Sequence, residues 1–224
     1  MHAGRLVSRA AQRHGRCVRV WPTKRVLDVA LSGAGLLAAA PVVAAAACAV
    51  ALDDGAPILF QQERLGRRGE PFTVLKLRTM RDGKATRVGE WLRNSGLDEL
   101  PQLLNVLRGD MSLVGPRPLT AAHVQRLGWD QPGFGSRFEV PPGLTGPVQV
   151  LGAVSAADSA ALERAYVRRG GVGTDLAILG ATAIMLVAGR EPVRQLLRRT
   201  LRLDLEAWNG DGADVVEDAP WSSA

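Results

Sequence analysis

The sequence predicts an α-rich α+β fold and a monotopic membrane protein, held on one membrane face by a re-entrant N-terminal helix hairpin, with a small cytoplasmic domain behind it. Three observations predict this class. Residues 29–52 carry no charge and are numerous enough to cross a hydrocarbon core as a helix. Residues 57–80 alternate apolar and polar side chains around glycines, which is typical of a β-hairpin. Short apolar repeats at helical spacing follow along the rest of the chain.

The composition favours a membrane surface as the anionic partner. The chain has 224 residues, enough for one domain with a real core, and a formal net charge of +6. Nucleic acid, acidic lipids and phosphorylated substrates all suit such a charge. Basic residues are concentrated in 5–25 and 190–202, beside apolar stretches, whereas aromatic residues make up only 4% and are too few to stack on bases. We therefore expect anionic membrane lipids as partners and no nucleic acid.

Residues 1–23 read as a basic arm that adds attraction to the membrane. A basic start before an alanine-rich run also resembles a signal peptide, but this basic region is too long for one. Cys17 and Cys48 have no CxxC or Cys/His spacing. The cysteines therefore support neither a disulfide framework nor a zinc site.

Residues 24–56 are predicted to enter and leave the membrane on the same side. Lys24 and Arg25 precede the uncharged run, and five basic residues follow it by residue 78, so both flanks resemble cytoplasmic segments. Pro41 lies near the middle of the run, where its missing N–H interrupts a helix. A hairpin broken at Pro41 satisfies both flanks, and a kinked spanning helix is the alternative.

The hairpin predicted over residues 57–80 opens the cytoplasmic domain. Lys76 and Arg78 lie two positions apart, so a strand places both cations on one face, where they could meet phosphates. A solvated edge strand is the alternative interpretation. A short amphipathic helix then brings Arg93 close to Asp98.

Residues 97–118, LDELPQLLNVLRGDMSLVGPRP, hold the densest group of candidate functional residues. Leucines at helical spacing, closed by Gly109, predict a helix over 99–108. Asp98 would lie at or next to its N-cap, where backbone N–H groups and the helix dipole stabilise a carboxylate and attract phosphate oxygens. Asp98 could then act as a nucleophile or metal ligand, although an aspartate here is often only a cap.

Arg117 is predicted to bind phosphate. Pro116 and Pro118 restrict the backbone on both sides of it, and its planar guanidinium suits two parallel hydrogen bonds to a phosphate. Arg137 adds another cation just before residues 141–146, PPGLTG, which predict a rigid turn.

The C-terminal part contains one more apolar segment. Residues 172–189 are too short to span a membrane and predict an interfacial helix, with a buried core helix as the alternative. Residues 206–224 are acidic and rich in small side chains, which predicts a disordered tail.

Taken together, these segments resemble the bacterial sugar transferases, the monotopic polyprenol-phosphate phosphoglycosyl transferases. The resemblance covers about residues 24–190 and includes the runs KRVLDVALSGAGLLAAAP, PILFQQERLGRRGEPFTVLKLRTM, TRVGEWLRNS and RFEVPPGLTGPVQV. It implies transfer of a sugar 1-phosphate from a nucleoside diphosphate sugar, expected to be a UDP-sugar, to polyprenyl phosphate with release of UMP. This would be the first membrane step of glycoconjugate or polysaccharide synthesis, at the cytoplasmic face of the bacterial inner membrane.

The resemblance also implies residue roles. Asp98 would attack phosphorus and form a phosphosugar-aspartyl intermediate, and Glu99 would bind Mg²⁺. The residues implied to bind substrate are all basic, and they are Lys76, Arg78, Arg93, Arg117 and Arg137. The family usually has Ser-Pro at the helix break, where this chain has Ala40-Pro41. It usually has an Asn-Gly-Arg-like stretch where this chain has Leu151-Gly152-Ala153, and a longer polar loop after Met80.

The sequence thus divides into a basic arm (1–23), a re-entrant helix (24–56), a catalytic domain with interfacial helices (57–205) and a tail (206–224). A catalytically inactive membrane adaptor that binds anionic lipid is the alternative function, and the intact Asp98-Glu99 pair argues against it. The sequence also allows a homodimer.

Overall fold

The computed structural model describes residues 22–130, 134–152, 155–189 and 192–195. All but the last two residues of the predicted arm, and the whole predicted tail, lie outside these ranges. The helices are α1 (Pro22–Asp54), α2 (Arg87–Ser95), α3 (Gln102–Arg108), α4 (Ala121–Arg126), α5 (Pro147–Leu151), α6 (Ala156–Arg169) and α7 (Val172–Ala188). The strands are β1 (Leu59–Leu65), β2 (Pro71–Leu77), β3 (Met80–Arg81), β4 (Lys84–Ala85), β5 (Ser112–Val114) and β6 (Gly143–Thr145). The predicted α-rich α+β class is confirmed.

Helix α1 is one continuous element of 33 residues, about 50 Å long at 1.5 Å per residue. Its length and composition are sufficient to cross a membrane. The helix continues through Pro41, so the predicted break into two helices is not seen. Alanine runs on both sides of Pro41 have the highest helix propensity, which offsets the backbone hydrogen bond that proline cannot donate.

The N-terminal end of α1 is bound to the rest of the domain. The Lys24 ammonium donates to the Asp175 carboxylate at 2.6 Å and to the carbonyl of Val114 at 3.0 Å. Four residues along the helix, the Asp28 carboxylate accepts the backbone N–H of Leu113 at 3.0 Å. These bonds attach α1 to both β5 and α7.

The C-terminal end of α1 is bound to the same domain. The Asp54 carboxylate pairs with Arg78 and with Arg81, at 2.8 Å in each case. One turn earlier, Val50 is buried in a cluster with Leu77 and Leu92. Helix α1 therefore has both of its ends against one folded body.

Strands β1 and β2 form the predicted antiparallel hairpin, with Leu59 opposite Leu77 and Leu65 opposite Pro71. A 3₁₀ turn at Arg67–Gly69 joins them. Val74 on β2 packs into the main core together with side chains of α3, β5, α6 and α7. The prediction of two strands around a basic turn is confirmed.

Asn105 on α3 ties that helix to β2. Its amide oxygen accepts the N–H of Leu75 at 3.1 Å, and its amide nitrogen donates to the carbonyl of Thr73 at 2.7 Å. The Asn105 side chain is completely buried, so these bonds also satisfy its polar atoms. The predicted end of α3 is confirmed, because Gly109 closes it in the left-handed conformation with φ 98°.

Residues 143–145 form strand β6, parallel to β5, so the prediction of a rigid turn over 141–146 is wrong. The two strands approach each other at glycines. A Cβ atom on Gly143 would lie 2.1 Å from the backbone nitrogen of Gly115. A pattern of proline and glycine thus marks a close strand contact rather than an exposed turn.

Helix α7 confirms the predicted helix over 172–189 and has two faces. Ile178, Ala181 and Met185 are buried in the core, whereas Ile184 and Val187 are exposed. It therefore resembles a core helix on one face and an interfacial helix on the other, and its contact with a membrane stays a prediction.

Candidate functional site

A cleft opens between β2, the chain before α3 and the turn that follows β5. The turn, residues 115–118, is called the Arg117 turn below. The polar side chains that line the cleft are Arg64, Lys76, Glu99, Gln102 and Arg117. Four segments of the chain, β1, β2, the turn before α3 and the Arg117 turn, therefore bring charged residues to one place.

Asp98 is buried in a 3₁₀ turn, Leu97–Glu99, that lies before α3. Helix α3 begins at Gln102 with Pro101 in the N-cap position, so the prediction that Asp98 lies at or next to the N-cap is wrong. The cause is Gly96, which ends α2 in the left-handed conformation with φ 74° and starts a separate turn. Asp98 gains its position from this turn rather than from the end of α3.

The environment of Asp98 disfavours its charge. Burial and the neighbouring Glu99 raise the pKa of the Asp98 carboxyl. Lys76, a backbone hydrogen bond and Arg93 oppose this shift without cancelling it. Additional positive charge near Asp98 would therefore favour the ionised, nucleophilic form.

Glu99 connects the two walls of the cleft. Its Oε1 atom lies 2.5 Å from the Lys76 ammonium on β2 and 3.7 Å from Nη2 of Arg117. The Glu99 side chain is 28% exposed, and that of Arg117 is 52% exposed. Both charges thus remain accessible from the open side of the cleft.

Arg64 also faces the cleft, although no motif in the sequence indicated a role for it. Its Nη1 atom donates to the carbonyl of Pro118 at 3.2 Å. Burial and the nearby Arg117 lower the pKa of the Arg64 guanidinium, whereas Glu99 raises it. Side chains two positions apart in a strand lie on the same face, so the sequence does place Arg64 on one face with Gln62, to which it is hydrogen-bonded.

Three cations, Arg64, Lys76 and Arg117, thus surround the single Glu99 carboxylate in the cleft wall. Such an excess of positive charge in a partly desolvated cleft suits a ligand with several negative charges, and a diphosphate has that character.

Arg78 and Arg93 occupy different surroundings from Lys76. The Arg78 guanidinium pairs with Asp54 and donates to carbonyls of residues 54–56, so it holds the end of α1 outside the cleft wall. Strand β2 ends at Leu77, which is why Lys76 and Arg78 do not share a strand face. Arg93 is exposed and close enough to Asp98 to lower the pKa of that carboxyl.

Arg137 lies behind the cleft instead of in it. Its side chain is 5% exposed and pairs with Glu163 at 3.4 Å. Its guanidinium lies 4.7 Å from the centroid of the Trp129 ring, and Nη2 donates to the carbonyl of Arg117 at 2.5 Å. The structure therefore places Arg137 in contact with the Arg117 turn, where a nucleotide in the cleft would not reach it.

The described residues contain no group of three or more histidine, cysteine, aspartate or glutamate side chains that could hold a metal ion. Mg²⁺ is commonly bound by one or two carboxylates together with substrate phosphates. Asp98 and Glu99 fit that mode, since they are neighbouring oxygen donors and Glu99 borders the cleft.

Comparisons with known proteins identify the family of this chain. The model of the family described as bacterial sugar transferase matches residues 19–189. A UDP-glucose:undecaprenyl-phosphate glucose-1-phosphate transferase of Caulobacter vibrioides is 49% identical over 145 residues, which is 58% of this chain and 54% of that protein. The Escherichia coli protein of the same name is 40% identical over 143 residues, 58% of this chain and 31% of that protein. The chain thus spans about half or less of these two relatives.

A shorter relative is covered almost completely. The uncharacterized sugar transferase EpsL of Bacillus subtilis is 35% identical over 203 residues, which is 84% of this chain and 96% of that protein.

Proposed function

The chain belongs to the bacterial sugar transferase family, and from that premise we propose that it transfers a sugar 1-phosphate from a UDP-sugar to polyprenyl phosphate. The observation that carries the proposal is the cleft, where three cations surround Glu99 next to the buried Asp98. The relatives from Caulobacter vibrioides and Escherichia coli are named for UDP-glucose and undecaprenyl phosphate, which supports the same substrate classes here.

In the first half-reaction, an oxygen of the Asp98 carboxylate attacks the sugar-linked phosphorus of the UDP-sugar. The bond between that phosphorus and the bridging oxygen breaks, and UMP leaves with the electron pair. The sugar phosphate stays on Asp98 as a mixed anhydride. Arg64, Lys76 and Arg117 bind the diphosphate oxygens and stabilise the charge that develops on them.

In the second half-reaction, a phosphate oxygen of polyprenyl phosphate attacks the phosphorus on Asp98. The bond to the carboxylate breaks, which regenerates Asp98 and gives polyprenyl-diphosphate-sugar. Lys76 and Arg117 both lie beside Glu99, the neighbour of Asp98 in the sequence. The same cations can therefore bind the phosphates of each substrate in turn.

Glu99, with Asp98 beside it, would hold Mg²⁺ together with substrate phosphates. The ion would neutralise phosphate charge and favour the ionised form of the carboxyl group. Lys76, which pairs with Glu99 in this structure, would then be available to bind a substrate phosphate.

We further place the domain on the cytoplasmic face of the bacterial inner membrane, with α1 inserted from that face and not crossing. The support is that Lys24 near one end of α1 and Asp54 at the other both bond to the same domain. Exposed apolar side chains such as Leu37 and Leu52 would face lipid. In the bilayer, we expect the helix to turn back near Pro41 as a re-entrant hairpin.

Cysteine labelling tests this topology. Thr23→Cys and Ala56→Cys, each in a Cys17→Ser and Cys48→Ala background, should react with an impermeant thiol reagent from the same side of sealed vesicles. Labelling from opposite sides would show a spanning helix. If Pro41 sets the topology, Pro41→Leu should move one label to the other side.

The reaction itself is tested with purified protein in lipid nanodiscs, given Mg²⁺, polyprenyl phosphate and each of a panel of UDP-sugars. We expect UMP release that requires one particular sugar nucleotide and is abolished by EDTA. No UMP from any nucleotide sugar would refute the proposed reaction and favour the membrane adaptor.

A further inference from the structure

The backbone of Arg117 contacts a buried ion pair, Arg137 and Glu163, on the side away from the cleft. The Arg117 carbonyl accepts a hydrogen bond from Nη2 of Arg137 at 2.5 Å. Burial raises the pKa of the Glu163 carboxyl, and a hydrogen bond from the Arg117 backbone N–H lowers it less strongly. Arg137 and Glu163 also pair with each other at 3.4 Å. Both polar groups of a single residue's backbone are thus bound by two side chains that contact one another.

This pair is deeply buried, with side chains 5% and 4% exposed. The guanidinium of Arg137 lies over the ring of Trp129, which in turn stacks on Phe134 with centroids 5.9 Å apart. Removing two opposite charges from water costs several kcal/mol per ion, and apolar replacements of such pairs are often as stable or more stable. Stability alone therefore does not account for this pair.

The chemistry of the Arg117 turn explains what the pair can do. Pro116 and Pro118 have no N–H, so Arg117 supplies the only backbone donor among residues 116–118. That donor is bound by Glu163, while the Arg117 side chain is 52% exposed and approaches Glu99 in the cleft. The backbone is immobilised on one side, and the guanidinium is presented on the other.

We propose that Arg137 and Glu163 are positioning residues, which hold the Arg117 backbone so that its guanidinium meets a phosphate of the substrate in the right orientation. They act through Arg117 and do not contact substrate themselves. The inference rests on the proposed function, because it assigns Arg117 to a phosphate of the UDP-sugar or of polyprenyl phosphate. The two parallel hydrogen bonds from a guanidinium to a phosphate weaken when the guanidinium is displaced. A misplacement of 1 Å can lower the rate about 100-fold.

A double-mutant cycle between Glu163→Gln and Arg117→Lys tests this inference in the full-length protein. Glu163→Gln should lower kcat/KM about 10- to 100-fold in the parent. In the Arg117→Lys background it should lower kcat/KM less than about threefold, since an ammonium has no fork to orient. Equal losses in the two backgrounds would overturn the inference.

Two further variants separate positioning from folding. Ser155→Ala removes the N-terminal cap of α6, the helix that carries Glu163, and should lower the thermal midpoint with parent kinetics. The double variant Arg137→Met/Glu163→Leu removes both buried charges, so it should fold while losing about as much kcat/KM as Glu163→Gln. Parent kinetics in this folded double variant would also overturn the inference.

The dissociation constant for inorganic pyrophosphate is also measured for the four proteins of the double-mutant cycle. This measurement requires no turnover. Coupling in that constant supports the inference even if the parent transfers no sugar phosphate, an outcome that would refute only the proposed reaction. An active parent without coupling would refute only the positioning role. A parent that neither reacts nor binds pyrophosphate would overturn both.

Discussion

Two lysine–carboxylate pairs of nearly equal length serve different purposes in this molecule. Lys24 lies 2.6 Å from Asp175 where α1 meets α7, and Lys76 lies 2.5 Å from Glu99 in the cleft. The side chains of the first pair are 12% and 9% exposed, and those of the second are 22% and 28% exposed. The distance between the charges is therefore not what distinguishes them.

The first pair belongs to a closed network. Lys24 also donates to the carbonyl of Val114, and the Tyr166 hydroxyl lies 2.7 Å from the second oxygen of Asp175. Burial, followed by the Asp175 charge, raises the pKa of Tyr166 far above its usual range, so the phenol keeps its proton. Every charged atom has protein partners, which fits a structural attachment of α1.

The second pair is open. Glu99 lies on the cleft wall with the further cations Arg64 and Arg117 near it, and the positive charge exceeds the negative charge. The phosphates of a ligand can neutralise the excess positive charge of the cleft. The role of an ion pair in this protein thus follows from its exposure and from the charges around it, rather than from its residue types.

The largest expected effect of a cleft substitution is that of Asp98→Asn. Turnover should fall by about 10⁴-fold or more, because an amide cannot attack phosphorus. Stability should stay within about 1 kcal/mol of the parent, since the amide matches the carboxyl in shape and carries no charge to desolvate. UMP release and denaturant unfolding measure the two quantities. Asp82→Asn, on the exposed β3–β4 hairpin, is the matched control and should behave like the parent.

Asp175→Asn and Glu99→Gln compare the two pairs directly. Asp175→Asn leaves the buried Lys24 ammonium without its counter-ion and should lower the free energy of unfolding by about 3–5 kcal/mol. Glu99→Gln should change that free energy by less than about 1 kcal/mol, but it should lower turnover and weaken the apparent affinity for Mg²⁺. Denaturant titrations measure the free energy of unfolding of both variants, and turnover at increasing Mg²⁺ concentration measures the apparent affinity for the ion. Similar losses of stability in both variants would show that the two ion pairs do not differ in their structural role.

Arg117→Lys should have a smaller effect, about 10- to 100-fold in kcat/KM. The charge is kept, but the two parallel hydrogen bonds of the guanidinium are lost. Arg108→Lys on the exposed end of α3 controls for the loss of an arginine elsewhere. Parent-like kinetics of Arg117→Lys would reduce the Arg117 turn to a structural role.

Local patterns predicted much of this architecture. The β1–β2 hairpin follows from two-residue alternation, and the end of α3 follows from Gly109. These features depend on neighbouring residues alone, which is why one sequence is sufficient to find them.

Partners distant in sequence were not predictable in the same way. Arg78 and Arg137 are cations like Lys76, yet Asp54 and Glu163 hold them outside the cleft. Arg64 lies in the cleft through a bond to the carbonyl of Pro118, 54 residues away. Which of several equivalent arginines meets a ligand is decided by tertiary contacts, and the residue types carry no record of those contacts.

The most direct test of the account is the identity of the residue that carries the sugar phosphate. The protein is incubated with Mg²⁺ and its UDP-sugar without polyprenyl phosphate, quenched in acid, digested and analysed by mass spectrometry. We predict one added sugar phosphate on the peptide that contains Asp98, absent from Asp98→Asn and removed when polyprenyl phosphate is supplied before the quench. A sugar phosphate on another residue, or turnover by an enzyme that never carries one, would contradict the account.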